Sequence, residues 1–285
     1  MKGILLAGGV GSRLLPLTSS ISKHLLAVYD KPMIFYPLSI LMSLLIRDIA
    51  IVINRNQINQ YKACLGTGSH LGLNIQYIIQ STANGTAGAI KQSEKFIKEE
   101  PFIVILGDNL FIFNDISILN VKNFTSGAHV FCYRVKNPEQ FGIINFNENS
   151  QITTIEEKPK LPRSNWAIVG FGYYDHQIFQ HIKKINKSLR GEYELTDVIK
   201  SYLTLNKLYV SILPDEVMWS DMGTPESLFL ASQEIRNVEL SSGRKIGCIE
   251  EIAYKNGWIT KKNIQYLASQ YNNSSYGVYL QNILN

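Results

Sequence analysis

Through the first half of the chain, unbroken runs of Val, Ile and Leu alternate with stretches whose apolar residues return every three or four positions. Residues 3–7, 49–53, 75–79, 102–106 and 128–134 read as buried strands, while 36–46, 57–64, 87–98 and 116–123 carry helical spacing. Strands apolar on both faces, separated by helices, predict an α/β fold whose sheet is mostly parallel and covered on both sides. Ligands of such sheets bind beyond the carboxyl ends of the strands. Two polar segments, residues 8–13 and Gly107-Asp108-Asn109, fall at such ends.

From residue 137 to 175 the pattern changes. Pro138, Glu156-Glu157-Lys158-Pro159 and Pro162 punctuate short apolar runs at 141–146 and 166–174, which suggests a β-rich lobe facing the first sheet. Helical spacing returns at 195–205 and 225–238, the latter with Thr224 placed as an N-cap and Pro225 at the first helical position. The tail, 250–285, reads as short helices rich in tyrosine. The expected division is a domain over 1–240, with its lobe at about 137–220, followed by a helical segment over 241–285. The longest apolar stretch, 33–46, is broken by Pro37 and falls short of the roughly 20 residues a bilayer needs, so it reads as a core helix. Met1-Lys2-Gly3 leads into a short apolar run ended by Gly8, so no secretory signal is expected.

Composition narrows the function. The chain has 285 residues, 45% hydrophobic and 18% charged, which suits an ordinary globular protein with a large core. Its net charge of +5 is scattered, which argues against nucleic acid and suits small anionic substrates. Cys64, Cys132 and Cys248 show no C-x-x-C spacing, so neither a disulfide framework nor a zinc site is implied and a reducing cytoplasm fits. The five histidines show no metal-ligand spacing.

The strand at 3–7 runs into Gly8-Gly9-Val10-Gly11-Ser12-Arg13. Glycines let backbone N–H groups approach an anion, Arg13 adds a fork suited to phosphate, and Lys23 follows. Neither G-x-G-x-x-G nor a Walker A sequence is present, so a plain glycine turn with Arg13 on a solvated rim stays open at this point. Asp108 ends an apolar strand, and Asp221 precedes the helix at 225. Brought together they could hold Mg²⁺; apart, Asp108 is an ordinary turn residue. Glu157-Lys158 suits a sugar hydroxyl and a phosphate, or a solvated surface. Arg190 suits a phosphate, or a helix end.

The order of these pieces resembles the sugar-1-phosphate nucleotidylyltransferases, and within them the glucose-1-phosphate thymidylyltransferases. It runs through LLAGGVGSRL (5–14), SKHLLAVYDKPMIFYPL (22–38), LGDN (106–109), EEKP (156–159) and SNWAIVGF (164–171). It continues through RGEYELTD (190–197), WSDMGTPESL (219–228), KIGCIEEIAYKNGWI (245–259) and YGVYL (276–280). The resemblance implies a Rossmann-like nucleotidyltransferase fold and Mg²⁺-dependent attack of glucose 1-phosphate on the α-phosphorus of dTTP. By the same resemblance, Arg13, Lys23, Asp108 and Lys158 carry the catalysis. Leu6, Ala7, Gly8, Gly9, Gly11, Ser12, Gln80 and Gly85 join Arg13, Lys23 and Asp108 around the nucleotide. Asn109, Gly142, Glu157, Val169 and Arg190 join Lys158 around the sugar phosphate, and Asp108 and Asp221 hold the metal. It further implies a cytoplasmic homotetramer serving nucleotide-sugar synthesis, and a regulatory surface near Glu251, Ile252 and Lys255. The chain departs from the family pattern at Ser81-Thr82-Ala83, at Thr86 and Gly88, at Ala27 and at Gly172. Those departures leave room for another base or another sugar 1-phosphate. A non-catalytic nucleotide-sugar-binding protein on the same fold is the reading from a different class.

Overall fold

Register at the centre of the sheet decides where the glycine loop goes. In the computed structural model, which describes residues 1–80 and 84–284, the departure at 81–83 lies outside the described residues. The strands are β1 (Lys2–Leu6), β2 (Ala27–Val28), β3 (Lys31–Pro32), β4 (Asp48–Asn54), β5 (Asn74–Gln80), β6 (Phe102–Leu106) and β7 (Asn109–Ile112). They continue as β8 (Ala128–Arg134), β9 (Gly142–Phe146), β10 (Ile152–Glu157), β11 (Trp166–Tyr174), β12 (Leu208–Ile212) and β13 (Met218–Asp221). Among the described residues the helices are α1 (Phe35–Ser43), α2 (Ile58–Leu65), α3 (Gly85–Lys91), α4 (Glu94–Ile97) and α5 (Ile178–Ile182). The rest are α6 (Leu195–Thr204), α7 (Pro225–Ser242), α8 (Ile249–Lys255), α9 (Lys261–Gln270) and α10 (Ser275–Asn282).

A mixed nine-stranded sheet runs in the order β10-β9-β11-β6-β1-β4-β5, with β8 pairing β11 and β12. Its β6-β1-β4-β5 part is parallel throughout. Leu6 sits opposite Leu106, so the glycine loop and Asp108 leave the sheet side by side. Gly107 N–H ties the two turns by donating to the Leu6 carbonyl at 2.8 Å.

The β-rich stretch is present as β9, β10 and β11, but it continues the same sheet rather than facing it. The nine-residue β11 makes this possible. Its start pairs with β9, its end lies antiparallel to β6, and its register on β8 shifts between Ile168 and Gly172. Val169 and Gly170 occupy that junction, which opens the sheet beside Asp108's turn. Two helical expectations differ from the structure. Residues 87–98 divide into α3 and α4 where buried Ser93 begins a new turn, accepting from Phe96 and Ile97 N–H through its carbonyl. Residues 116–123 form only a 3₁₀ turn over Ile116–Leu119, capped by Asp115, and Asn123 is left-handed at φ 56°.

Alternation along β1 divides the core. Ile4 and Leu6 pack with Ile90, Val104 and Ile199 on one face. Leu5 and Ala7 pack on the other with Leu41, Ile249, Ile264 and Leu280, so the tail helices share a core with α1. A third cluster joins α7 to the β2–β3 hairpin through Val28, Met33, Met222, Ala231 and Ile235. Among the described residues no helix is long and apolar enough to cross a membrane.

A buried ionic knot sits at that third contact. Lys31 Nζ meets Asp30 Oδ1 at 2.5 Å and Glu239 Oε1 at 3.2 Å, while Lys245 Nζ meets Asp30 and, at 2.9 Å, Glu239 Oε2. Tyr36 and Tyr276 place their rings 5.1 and 5.7 Å from Lys31 Nζ. Removing one member of such a set strands its partner charges. Lys31→Ala should lower the unfolding free energy by about 3–5 kcal/mol, read from urea denaturation. An unfolding midpoint equal to that of the parent would show that the knot carries no net stability.

Candidate functional site

Backbone pairing brings the two candidate carboxylates together. In the β7–β13 ribbon Asp221 lies opposite Asn109, and Met222 N–H donates to the Asp108 carbonyl at 2.9 Å. Lys23 Nζ forms an ion pair with Asp108 Oδ2, and Asn109 Nδ2 donates to Asp108 Oδ1 at 3.1 Å. Burial pushes the Asp108 carboxyl upward, but Lys23 and His24 outweigh it and hold the group below the usual carboxylate range. Asp221 is in the opposite position. Its Oδ1 is buried without a hydrogen-bond partner, and burial together with the Asp108 charge pushes its carboxyl upward. A Cβ on Gly223 would lie 2.5 Å from both Arg13 Nη2 and Asp221 Oδ1, so the bare glycine leaves room for both side-chain ends.

The glycine loop lines an adjoining cleft of about 240 Å³ with Leu6, Gly8, Gly9, His24, Gln80, Gly85, Thr86 and Asp108. Gly8 is packed tightly: a Cβ there would meet Gln80 Oε1 at 2.6 Å, and its carbonyl accepts from Asn54 Nδ2 at 2.8 Å. Ala7, Gly11, Ser12, Arg13 and Lys23, also expected around the nucleotide, do not line this cleft. Gly11 is left-handed at φ 68°, and a Cβ there would press on Thr18 and the Lys23 stem, so its bareness lets Lys23 reach Asp108. Ala7's carbonyl accepts from Tyr61 Oη at 3.1 Å. Tyr61 Oη also lies 3.2 Å from His24 Nδ1, fixing the ring beneath the loop. Burial, with Lys23 nearby, lowers His24 to about 4 despite Asp108, so the ring is neutral at pH 7.

On the other side, a cleft of about 170 Å³ is lined by Asn109, Gly142, Glu157, Lys158, Val169 and Arg190, with Asp221 and Trp219 at its wall. A Cβ on Gly142 would fall 2.4 Å from Thr196 Cγ2. Thr196 Oγ1 donates to Glu157 Oε2 at 3.0 Å. Burial and the Glu194 charge raise the Glu157 carboxyl, against the pull of Lys158 at 4.0 Å and Arg190 at 3.4 Å. Arg190 is spread over three carboxylates, reaching Glu192 at 3.4 Å and Glu194 at 3.5 Å as well. Asn109 acts as a hub: its Oδ1 accepts from Gly170 N–H at 3.0 Å and Trp219 Nε1 at 2.7 Å.

Most of the site residues expected from the sequence line this pair of clefts; Lys23 reaches them through its ion pair with Asp108, Arg13 lies beside Gly223 and Asp221 on a neighbouring surface, and the regulatory trio lies elsewhere. Glu251 and Lys255 form an ion pair at 2.6 Å across one turn of α8, Tyr279 Oη donates to Glu251 Oε2 at 2.8 Å, and Ile252 packs against the core. Sequence reasoning missed His24, Tyr61, Thr196, Trp219 and Gly223. Trp219 and Gly223 flank Asp221 within two residues, and that adjacency was the available signal.

A family model described as Nucleotidyl transferase matches residues 2–238. A glucose-1-phosphate thymidylyltransferase from Neisseria meningitidis is 42% identical across 100% of this chain and 99% of its own length. Another from Mycobacterium tuberculosis is 39% identical over the same shares. Among solved structures, a Bacillus anthracis protein assigned as a glucose-1-phosphate thymidylyltransferase, in complex with a sucrose, is 38% identical with a TM-score of 0.77. It matches 83% of this chain and 96% of its own. A UDP-glucose pyrophosphorylase complexed with UDP-glucose is 25% identical with a TM-score of 0.71, over 83% of this chain and 98% of its own.

Asp221 offers a direct test of the charge arrangement. Its folded carboxyl holds a proton to higher pH than the unfolded one, so stability falls as pH rises from the ordinary carboxylate value to the raised one and the full penalty is present above it. Asp221→Asn should therefore stabilise the protein in chelator at pH 8 by about 1–3 kcal/mol. The gain should shrink as pH falls from the raised pKa toward the ordinary carboxylate value and vanish below about pH 3, where the parent carboxyl is protonated in both states. A variant no more stable than the parent at pH 8 would contradict an uncompensated charge at Asp221.

Proposed function

The chain belongs to the nucleotidyl transferase family, and from that premise we propose that it joins dTTP and glucose 1-phosphate into dTDP-glucose and pyrophosphate. One observation carries the reading: Asp108 and Asp221 meet between two clefts, with Lys23 and Arg13 beside them. The relatives that match end to end support the choice of substrates.

The nucleoside occupies the glycine-loop cleft, with Gln80 and Gly85 toward the base and Leu6, Gly8 and Gly9 along the sugar and phosphates. The hexose occupies the opposite cleft, where Glu157 accepts from its hydroxyls against Gly142 and Val169 while Lys158 and Arg190 take the phosphate. Arg190 exchanges carboxylate partners for that phosphate as it binds. An oxygen of the sugar phosphate attacks the α-phosphorus, and the bond from that phosphorus to the bridging oxygen breaks, releasing pyrophosphate. The nucleophile is already an anion, so no general base is needed. Positioning and charge neutralisation supply the catalysis. Arg13 and Lys23 balance the charge that builds on the leaving group.

The residues present fit Mg²⁺. Asp221 Oδ1 is buried without a protein donor, and Asp108 faces it. Among the described residues no group of three or more His, Cys, Asp or Glu could cage a metal alone. Two carboxylates suit an ion that completes its shell with phosphate oxygens and water. When bound, the ion would supply positive charge against the triphosphate. The cytoplasm suits the three free cysteines. The homotetramer, and a second nucleotide surface using the exposed Lys255 ammonium beside Glu251 and Ile252, rest on kinship with the family.

The experiment is pyrophosphate release from each nucleoside triphosphate with each of several sugar 1-phosphates in Mg²⁺. The dTTP and glucose 1-phosphate pair should be turned over best, and Asp108→Asn should lower kcat about 100- to 1000-fold. Release with no pair would overturn the enzymatic reading. Near-parental activity of Asp108→Asn would overturn the metal assignment.

A further inference from the structure

A third cleft, of about 640 Å³, adjoins the hexose cleft. Gln140, Phe141, Trp219 and Asp221 line both of them, whereas none of its residues lines the nucleotide cleft. One side of the shared boundary is firm: Trp219 packs on Phe141 at 5.2 Å and is tied to Asn109. The other side is yielding, because Gln140 is exposed and its side-chain amide has no hydrogen-bond partner among the described residues.

The two clefts differ in charge. Around the hexose, Arg190 is ringed by Glu157, Glu192 and Glu194, and Lys158 stands beside Glu157. Once the 1-phosphate has taken Lys158 and Arg190, that side offers a second anion only carboxylates. The third cleft carries Arg134 and Lys136, and among the described residues neither side chain has an ion-pair or hydrogen-bond partner. Local structure explains why they face the same way. Val135 between them packs on the core and donates its N–H to the Asn165 carbonyl at 2.9 Å. In extended backbone the residues on either side of such an anchor share the opposite face. Thr224 and Ser227 bring the start of α7 to the same cleft, where the helix dipole favours negative charge. The cleft's own carboxylates are Asp221, which the metal would neutralise, and Glu226, which is exposed.

We propose that Arg134 and Lys136 receive a second phosphate carried by the sugar, so that the enzyme takes doubly phosphorylated hexoses as well as glucose 1-phosphate. An arginine fork beside a lysine suits a phosphate dianion, and Gln140 is the side of the boundary over which the arm passes. The inference rests on the reaction proposed above and leaves its chemistry unchanged. An oxygen of the 1-phosphate attacks the α-phosphorus of dTTP, and the bond to the bridging oxygen breaks with its electron pair leaving on pyrophosphate. The second phosphate takes no part and stays on the product.

Glucose 1,6-bisphosphate is the probe, because its second phosphate hangs from the exocyclic carbon and reaches well beyond the ring. With dTTP and Mg²⁺ the parent should convert it to a nucleotide sugar that keeps the extra phosphate, read by mass. In R134Q/K136Q its KM should rise about tenfold, as expected for two lost charge-assisted contacts, while KM for glucose 1-phosphate stays at the parental value. Both side chains are exposed, so the variant should fold, and R134K/K136R should restore most of the lost affinity. An unchanged KM for the bisphosphate, or an equal rise for both sugars, would overturn the cleft. Calorimetric titration of each sugar into parent and R134Q/K136Q separates binding from chemistry. Loss of affinity for the bisphosphate alone supports the cleft even if the parent turns over neither sugar, an outcome that sinks only the proposed reaction. Equal binding of the bisphosphate by both proteins overturns the cleft itself.

Discussion

Two like charges are held face to face by main chain, and the rest of the site answers to that constraint. The β7–β13 ribbon and the Met222-to-Asp108 hydrogen bond set the positions of Asp108 and Asp221 before either side chain finds a partner. Lys23 neutralises one of them and leaves the other with a buried, unsatisfied oxygen. An ionised carboxylate in such a place is a standing cost. It is tolerable in a large core and useful where a polyanion must arrive with its cation. Gly223 and Gly11 serve the same arrangement, one admitting Arg13 and the other the Lys23 stem.

The support for Lys23 reaches surprisingly far along the chain. Lys23 lies just before the β2–β3 hairpin, whose Asp30 and Lys31 are bound to Glu239 of α7 and to Lys245. Tyr276 of the tail closes over both lysines. α7 in turn begins at Thr224, three residues after Asp221, with the capping box formed by Thr224 and Ser227. One helix therefore fixes Asp221 at its start and the Lys23 segment near its end. The tail is tied into the catalytic half by burial and charge together, so its removal would unsettle more than a surface.

What the sequence revealed follows from how local each signal is. The parallel strands were legible because Val, Ile and Leu runs at 49–53, 75–79 and 102–106 must be buried on both faces, and they appear as β4, β5 and β6 within a residue of those limits or just beyond. Thr224 as a cap was legible for the same local reason. The continuity of the sheet through β11 was not, because a strand that changes partners at Val169–Gly170 looks like two short apolar runs. The charged site residues were legible as types, but the three carboxylates around Arg190 were not, since Glu157 reaches it from a distant strand.

The two substrate clefts are not independent, and the departure at Thr86 shows why. Thr86 lines both of them, and its Oγ1 accepts from Leu195 N–H at 3.2 Å at the start of α6. Beside it, Ala87 N–H donates to the Tyr193 carbonyl and Tyr193 N–H to the Asn84 carbonyl, at 3.0 and 2.9 Å. The base-side loop is thereby stitched to the segment that carries Arg190, Glu192 and Glu194. Gly85, left-handed at φ 82°, permits the stitch, because a Cβ there would lie 2.6 Å from the Tyr193 carbonyl oxygen. A larger apolar side chain at position 86 would lose the hydroxyl bond to α6 and shift both walls together. The walls of the two clefts are thus joined by one seam, and a change in either wall is transmitted to the other.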